Sequence, residues 1–226
     1  MKRFTLIALI LFTTISLFAQ YSPSLNFSIR AGANVSNSTW DVESDVINKK
    51  GRIGFQAGIM LEYSLPNNPF DLQTGLFLTT KGAKLKTEDF LIGGSGGTVY
   101  RNQTLNQMYL EMPIFAVYKM YMSNSTCVYF NLGPYIAYGV GGKNKEIITG
   151  SSQGEETIEE DTFDKSDKLT YGNLKKFDFG IGGGVGMEVG RVIIGLSCEL
   201  GLTNLSNDNS YKYKNISSLA TLGYKF

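Results

Sequence analysis

The amino-acid sequence predicts an all-β fold, namely an eight-stranded antiparallel up-and-down transmembrane β-barrel. Three observations predict it. Eight long segments alternate between apolar and polar side chains, the apolar positions of these segments carry no charge, and the links between them alternate in length. Successive side chains of a strand point to opposite faces, so each segment has one apolar face and one polar or glycine-rich face. We expect the apolar faces to meet lipid and the others to line the lumen.

The first four predicted strands cover residues 25–35, 52–65, 70–81 and 107–120. In each of them the apolar residues fall on one parity, as in the run from Met108 through every second residue to Met120. The opposite parity carries polar, charged and glycine residues. The pattern therefore predicts four strands whose two faces differ sharply in polarity.

The last four predicted strands cover residues 127–140, 177–189, 192–202 and 215–226. The second of these holds the glycine-rich stretch FDFGIGGGVGMEV. A dinucleotide fingerprint counted from Gly180 needs glycine at position 185, which is valine, and no Lys-Ser or Lys-Thr pair follows for a P-loop. The stretch instead alternates as a strand, and its glycines predict a crowded wall on the lumen side.

The lengths of the segments and links favour a membrane barrel over a soluble one. Alternation alone fits either, because a secreted soluble β-barrel that carries a lipid has the same pattern with its faces reversed. The segments run about 11 to 16 residues, which suits a tilted bilayer crossing of 9 to 11 residues with an overhang. The links have about 16, 6, 19, 5, 33, 2 and 9 residues, as expected for long extracellular loops and short periplasmic turns.

The N-terminus predicts export. Lys2 and Arg3 precede an apolar run over residues 4–18 and the small residue Ala19. This is the pattern of a signal peptide, so we expect residues 1–19 to be removed and residues 20–226 to form one barrel domain in the outer membrane. Removal leaves 19 basic residues (21 minus 2) against 20 acidic ones, a balance that does not favour nucleic-acid binding.

Outward-facing aromatic residues gather at the two ends of the predicted strands. One group is expected at the periplasmic rim and the other at the extracellular rim, because aromatic rings favour the two lipid–water interfaces. The first group comprises Tyr63, Phe70, Tyr118, Tyr224 and Phe226, and the second comprises Tyr138, Phe177 and Phe179.

Few residues suggest chemistry. The chain has no histidine, which excludes a Ser-His triad and an H-E-x-x-H zinc site, and we predict neither metal nor cofactor. Cys127 points inward and Cys198 outward on strands that are not neighbours, so both are predicted to be free thiols. The acidic run EETIEED at 155–161 lacks the spacing of an EF-hand and is predicted to be a solvated, mobile loop.

Charged residues on the polar faces are predicted to form an ionic network that fills the lumen. They are Arg30, Arg52, Lys81, Lys119, Lys225, Glu62, Asp71, Glu111, Asp178, Glu188 and Glu199. Buried charges are costly unless they are paired, and an eight-stranded barrel has room only for its own side chains. Arg30, Glu111 and Glu199 lie nearest mid-height in the predicted strands. We expect them to form the centre of this network, with the Arg30 guanidinium within about 6 Å of a carboxylate. Paired carboxylates could also act as the acid and base of a hydrolase. This interpretation is less favoured than a structural network, because a filled lumen leaves no space for substrate.

Several motifs resemble the PorT-like outer-membrane β-barrel family. They are YLEMPI at 109–114, GPYIAYG at 133–139, DFGIGGGVGMEVGR at 178–191, GLTNL at 201–205 and the terminal LGYKF. The resemblance implies an outer-membrane barrel whose final aromatic residue is read by the barrel-assembly machinery. It implies little about activity, although the member that names the family is linked to a protein secretion and gliding apparatus.

The sequence therefore predicts a monomeric integral outer-membrane protein that is not an enzyme. Its barrel contacts outer-membrane lipid, and its long extracellular loops serve binding, adhesion or a structural role toward an extracellular or secretion-system partner. The main alternative is a transport or secretion-associated component with a narrow channel, which conductance measurements distinguish. A membrane-embedded hydrolase or protease is a further alternative, which an activity assay tests.

Overall fold

The computed structural model describes residues 24–40, 47–64, 68–91, 97–150, 154–163, 174–207 and 212–226. The predicted signal peptide lies outside these ranges, as does most of the glycine-rich tip at 93–97. None of the described segments forms a helix that is long and apolar enough to cross a membrane.

Ten β-strands make up the described fold, and all of their pairings are antiparallel. In chain order they are β1 Ser24–Trp40, β2 Ile47–Ser64, β3 Phe70–Leu91, β4 Gly97–Ser123, β5 Thr126–Gly141, β6 Lys143–Gly150, β7 Gly154–Asp161, β8 Phe177–Val189, β9 Val192–Gly201 and β10 Tyr213–Lys225.

Eight of the ten strands close into a barrel. Each of β1 to β4 pairs with the next strand, β5 pairs with β8, β8 with β9, β9 with β10, and β10 returns to β1. Closure satisfies every edge inside the ring, as a bilayer requires of a spanning backbone. The predicted eight-stranded antiparallel barrel is confirmed.

The remaining two strands form a hairpin attached to the outer end of β4. Strand β6 pairs with residues 99–104 of β4, and β7 pairs with β6. The acidic run at 155–161 is therefore part of a strand, and its prediction as a loop is wrong. Cross-strand partners explain the difference, because Lys143 lies opposite Asp161 and Lys145 opposite Glu159.

Strands β3 and β4 also run further than their alternation predicts. They contain 22 and 27 residues, and pair without interruption in register to Leu91 and Gly97 at the tip of their hairpin. About 10 residues suffice to cross the bilayer, so this hairpin continues well beyond it. The predicted link of about 19 residues is thereby reduced to residues 92–96.

The accessible surface confirms the predicted orientation of the faces. On β9, Ile194, Leu196 and Leu200 are exposed, whereas Ile193 and Glu199 are buried. Alternation of the same kind runs along the other ring strands. A continuous exposed apolar belt around a closed barrel is the surface that a lipid bilayer covers.

The periplasmic end carries tight turns and an aromatic rim. Gly190 adopts a φ of 59° in the two-residue turn between β8 and β9, a left-handed conformation that glycine adopts readily. Rings pair at this end of the barrel, Phe70 with Tyr118 at 5.7 Å and Tyr224 with Phe226 at 5.3 Å between centroids. These pairs match the predicted periplasmic group of aromatic residues.

The glycine stripe on β8 makes room for large side chains inside the barrel. A Cβ atom at Gly180 would collide with the ring of Tyr135, and one at Gly186 with the ring of Tyr129. Both tyrosines come from the neighbouring strand β5 and are buried. The absence of side chains at these glycines of β8 therefore leaves the space that the aromatic side chains occupy inside the lumen.

A β-bulge changes the direction of β2 near its outer end. The register with β3 shifts by one residue between Gly51 and Gln56. Thr80 satisfies the irregular backbone, because its hydroxyl accepts a hydrogen bond from Phe55 N at 2.9 Å. Below the bulge the even-numbered residues of β2 face the lumen, whereas above it Lys50 faces outward beside Lys84.

Candidate functional site

The lumen is the candidate functional site, and its side chains form four layers along the barrel axis. The side chains of the first three layers project from the inward parity of the ring strands, whereas the fourth layer also contains residues of the outer links. The layers alternate between charged and apolar character from the periplasmic end to the outer mouth. The packing of the side chains in each layer determines how much open space the lumen has at that height.

The first layer is an ionic cluster near the periplasmic end. Lys119 Nζ contacts a carboxylate oxygen of Glu62 and lies 3.0 Å from Glu188 Oε1. Lys225 Nζ lies 3.2 Å from Glu188 Oε2 and 3.5 Å from Glu62 Oε1, so the two lysines bridge the same two glutamates. Asp71 Oδ2 lies 3.8 Å from Lys119 Nζ and completes the cluster.

The second layer is mostly apolar and surrounds a small cavity. Phe115, Val117, Tyr129 and Ile193 pack together at this height. The guanidinium of Arg30 lies over the Tyr129 ring, 5.9 Å from its centroid. The adjoining cavity has a volume of about 40 Å³, which is room for only a few water molecules.

The third layer is an ion pair that crosses the lumen. Lys81 Nζ on β3 lies 2.6 Å from Glu111 Oε2 on β4 and 3.0 Å from Glu199 Oε2 on β9. The lysine side chain is 0% exposed, and its Nζ also lies 4.1 Å from the centroid of the Tyr135 ring. Strand β9 lies four strands from β3 around the ring, so Lys81 connects opposite walls.

Hydrogen bonds hold both carboxylates of the third layer in place. Gln56 Nε2 donates to Glu111 Oε1 at 3.1 Å, and Ser217 Oγ donates to Glu199 Oε2 at 3.1 Å. A protein interior tolerates ionised groups when each has an opposite charge and hydrogen-bond partners nearby. The layer therefore blocks the lumen with fixed charges.

The fourth layer is an apolar cap at the outer mouth. Leu85, Leu105, Leu174, Leu205 and Tyr213 are buried together, and Phe163 packs against them. Phe163, Leu174 and Leu205 come from the outer links. These links turn inward and are joined by the backbone hydrogen bond from Lys175 N to Leu205 O at 2.8 Å. The outer links thus close the barrel from above.

The predicted centre of the network is only partly brought together. Glu111 and Glu199 share one cation, but that cation is Lys81, and Arg30 lies one layer below. The ion pairs among the described residues do not include Arg30, whose Nε donates to Ser28 Oγ at 3.3 Å. The strands of a barrel are staggered by its shear, so equal distances from strand ends do not mean equal heights.

Further site chemistry is limited to the free thiols. Cys127 is buried in the lumen wall and Cys198 is exposed on the outer face, and both are free as predicted. Within the described ranges, no three His, Cys, Asp or Glu residues converge in a way that fits a metal ion. The carboxylates of the lumen are held by lysine, glutamine and serine partners instead.

The closed ring, the exposed apolar belt and the charged lumen define the class: an integral β-barrel protein of an outer membrane. Residues 18–207 match the family described as "Outer membrane protein beta-barrel domain", and the chain belongs to this family. The protein is accordingly an outer-membrane protein whose barrel lies in the lipid bilayer.

Solved structures of similar fold were also found, whereas no curated protein sequence matches the chain. Ail, the attachment invasion locus protein of Yersinia pestis, solved with the heparin analogue sucrose octasulfate, is 16% identical with a TM-score of 0.41; 90% of this chain and 99% of Ail are covered. OprG from Pseudomonas aeruginosa is 14% identical with a TM-score of 0.45 over 92% and 98% of the two chains. Neisserial surface protein A is 11% identical with a TM-score of 0.40 over 90% and 99%.

Proposed function

We propose that this protein is a closed membrane anchor that presents an extracellular β-structure for binding or adhesion, and that it is not an enzyme. The proposal rests on the observation that Lys81 crosses the lumen below an apolar cap, and that the cavity inside the lumen beside Glu111 and Tyr129 has a volume of about 40 Å³. Neither solute passage nor substrate binding in the lumen fits such a space. The part of the chain that extends beyond the bilayer forms β-strands instead, namely the outer parts of β3 and β4 together with β6 and β7.

The proposed binding structure is the outer part of β3 and β4 together with the β6–β7 hairpin. Strand β7 is the last strand of the described sheet on this side, and it carries exposed Glu156, Glu159 and Asp161. Acidic side chains on an edge strand protect it from uncontrolled pairing with other chains. They also give the presented surface a defined charge.

The accessory steps of this proposal concern assembly and export. An N-terminal signal peptide over residues 1–19 would direct export, and the barrel-assembly machinery would insert the barrel as a monomer. The ring closes within a single chain, which supports the monomeric state.

A transport or secretion-associated role is the second candidate. It rests on the motif resemblance to PorT-like barrels, such as GPYIAYG at 133–139, and it requires an open or opening lumen. The two candidates differ in what they predict for ion flow through the wild-type protein.

The test combines conductance with adherence. In a variant, residues 145–159 of the β6–β7 hairpin are replaced by a four-residue Gly-Ser turn, which removes the hairpin and leaves the barrel strands intact. We expect no stepwise conductance from either protein in planar bilayers. We also expect cells that display the variant to lose most of their adherence to protein-coated surfaces.

Two outcomes contradict the anchor proposal. Discrete conductance steps from the wild-type protein indicate a channel, and equal adherence of cells with both proteins removes the hairpin from any binding role. A matched variant with Ser125→Gly in the periplasmic turn controls for expression, because that turn lies at the opposite end of the barrel.

A further inference from the structure

Two lysines face each other on the outside of the barrel above its apolar belt. Lys50 on β2 and Lys84 on β3 are direct cross-strand partners, and both are exposed. Side chains in such positions start about 5 Å apart at Cβ, and like charges there are destabilising. Among the described residues, none forms an ion pair with either lysine. The described part of the chain therefore supplies no counter-charge to this pair.

The β-bulge of β2 is what brings Lys50 to this position. Below the bulge, the even-numbered residues Gln56 and Glu62 are buried in the lumen. A regular strand would continue this parity and turn Lys50 inward. The extra residue between Gly51 and Gln56 reverses the parity and places Lys50 outside beside Lys84.

Neighbouring strands extend the polar row on the same face. Thr104 on β4 lies directly opposite Lys84, and Lys145 on β6 lies opposite Thr104. Lys86, two positions beyond Lys84, is also exposed. Lys145 is paired with Glu159, its Nζ lying 3.9 Å from Glu159 Oε1. Strands are spaced about 4.8 Å apart, so the ammonium groups of Lys50 and Lys84 and the hydroxyl of Thr104 lie within the reach of a single phosphate.

The height of the row matches the headgroup layer of the bilayer. Among the described side chains of β2, Ile53 is the outermost large apolar one on the outward face, and it is 77% exposed. Lys50 follows three residues further out, roughly 10 Å along a strand and about 8 Å along the membrane normal at a tilt of about 40°, which places it at the outer side of the headgroup layer. The headgroup layer extends about 5 to 7 Å beyond the hydrocarbon on each side.

We propose that Lys50 and Lys84, with Thr104, form a binding site for the phosphate groups of an outer-leaflet lipid such as lipid A. Ammonium groups bind phosphate as point charges, and two of them facing each other provide the charge that one phosphate neutralises. The site faces the headgroup layer, which makes a lipid the ligand that is present at this height. Through this site the barrel binds phosphorylated lipids next to β2 and β3.

The test compares lipid binding by two variants that lose the same charge. Lys50→Gln/Lys84→Gln removes the pair, and Lys143→Gln/Lys175→Gln removes two exposed lysines outside the row, one opposite Asp161 and one bonded to Asn204 O. The probe is bisphosphorylated lipid A in phosphatidylcholine nanodiscs, with bound lipid counted by native mass spectrometry. Dephosphorylated lipid A serves as the ligand control.

The expected result is a selective loss. At about 1 kcal/mol per lysine near an anionic surface, the Lys50/Lys84 variant should bind phosphorylated lipid A about thirtyfold more weakly than wild type. The control variant should stay within about threefold of wild type. Wild type should also bind the dephosphorylated lipid more weakly than the phosphorylated one.

Three results overturn the proposal. Unchanged binding by the Lys50/Lys84 variant removes the site, and an equal loss in both variants assigns the effect to general surface charge. Displacement of lipid A by millimolar inorganic phosphate identifies free phosphate as the ligand. The exposed positions of these side chains keep both variants foldable, which a far-UV circular dichroism spectrum checks.

Discussion

Replacing Lys81 with methionine is expected to destabilise the folded barrel by about 3 to 5 kcal/mol. The substitution removes the only described cation within salt-bridge distance of both Glu111 and Glu199. Two buried carboxylates are then left facing each other without a counter-charge, which costs far more than the loss of a surface pair. Equilibrium unfolding in phospholipid vesicles, followed by far-UV circular dichroism, measures the change.

Two matched variants show whether the cause is the unpaired charge. Glu111→Gln and Glu199→Gln added to Lys81→Met should recover most of the lost stability, because the three residues of this layer then carry no charge. Lys84→Met on the same strand should change stability by less than about 0.5 kcal/mol, since that side chain is exposed. A Lys81→Met effect as small as that of Lys84→Met contradicts the account of this layer.

Substituting arginine for Leu196 is expected to cost about 2 to 4 kcal/mol of folding stability in vesicles. Leu196 lies near the middle of β9 and is 61% exposed on the face assigned to lipid. A guanidinium at that depth loses its hydration in the hydrocarbon core. The measurement is the same equilibrium unfolding titration.

The depth dependence is the control for this substitution. Leu202→Arg lies just beyond the outer end of β9, at the interface, and should cost only about 0 to 1 kcal/mol. Equal costs at both positions, or a cost at Leu196 below about 1 kcal/mol, would place this face outside the bilayer core. The cost of arginine on this face would then not depend on its depth in the lipid.

The sequence predicts the two faces of the ring strands because their polarity repeats every second residue over a whole crossing. Leu196 outside and Glu199 inside follow from that period alone. The hairpin of β6 and β7 carries polar residues on both faces, including the buried Asn144 and Glu146 on one face of β6. Its alternation is therefore absent, and EETIEED resembles a loop in sequence.

Contacts across the lumen depend on geometry that a single sequence does not encode locally. Lys81 is correctly expected inside, but its pairing with Glu199 depends on the stagger between β3 and β9. The bulge in β2 is likewise not encoded by the local sequence. Its one unpaired residue reverses the parity that places Arg52 and Gln56 on one face of the strand. No composition signal marks it, so Lys50 escapes prediction as an outward residue.

The central claim is that the apolar face of each ring strand meets lipid and the charged face meets the lumen. Spin labels at Leu196→Cys and Ser197→Cys, in a Cys127→Ser/Cys198→Ser background, test it directly in bilayers. The account predicts frequent collisions with oxygen and few with a water-soluble nickel chelate at position 196, and shielding from both reagents at position 197. High oxygen accessibility at 197 together with shielding at 196 would contradict it.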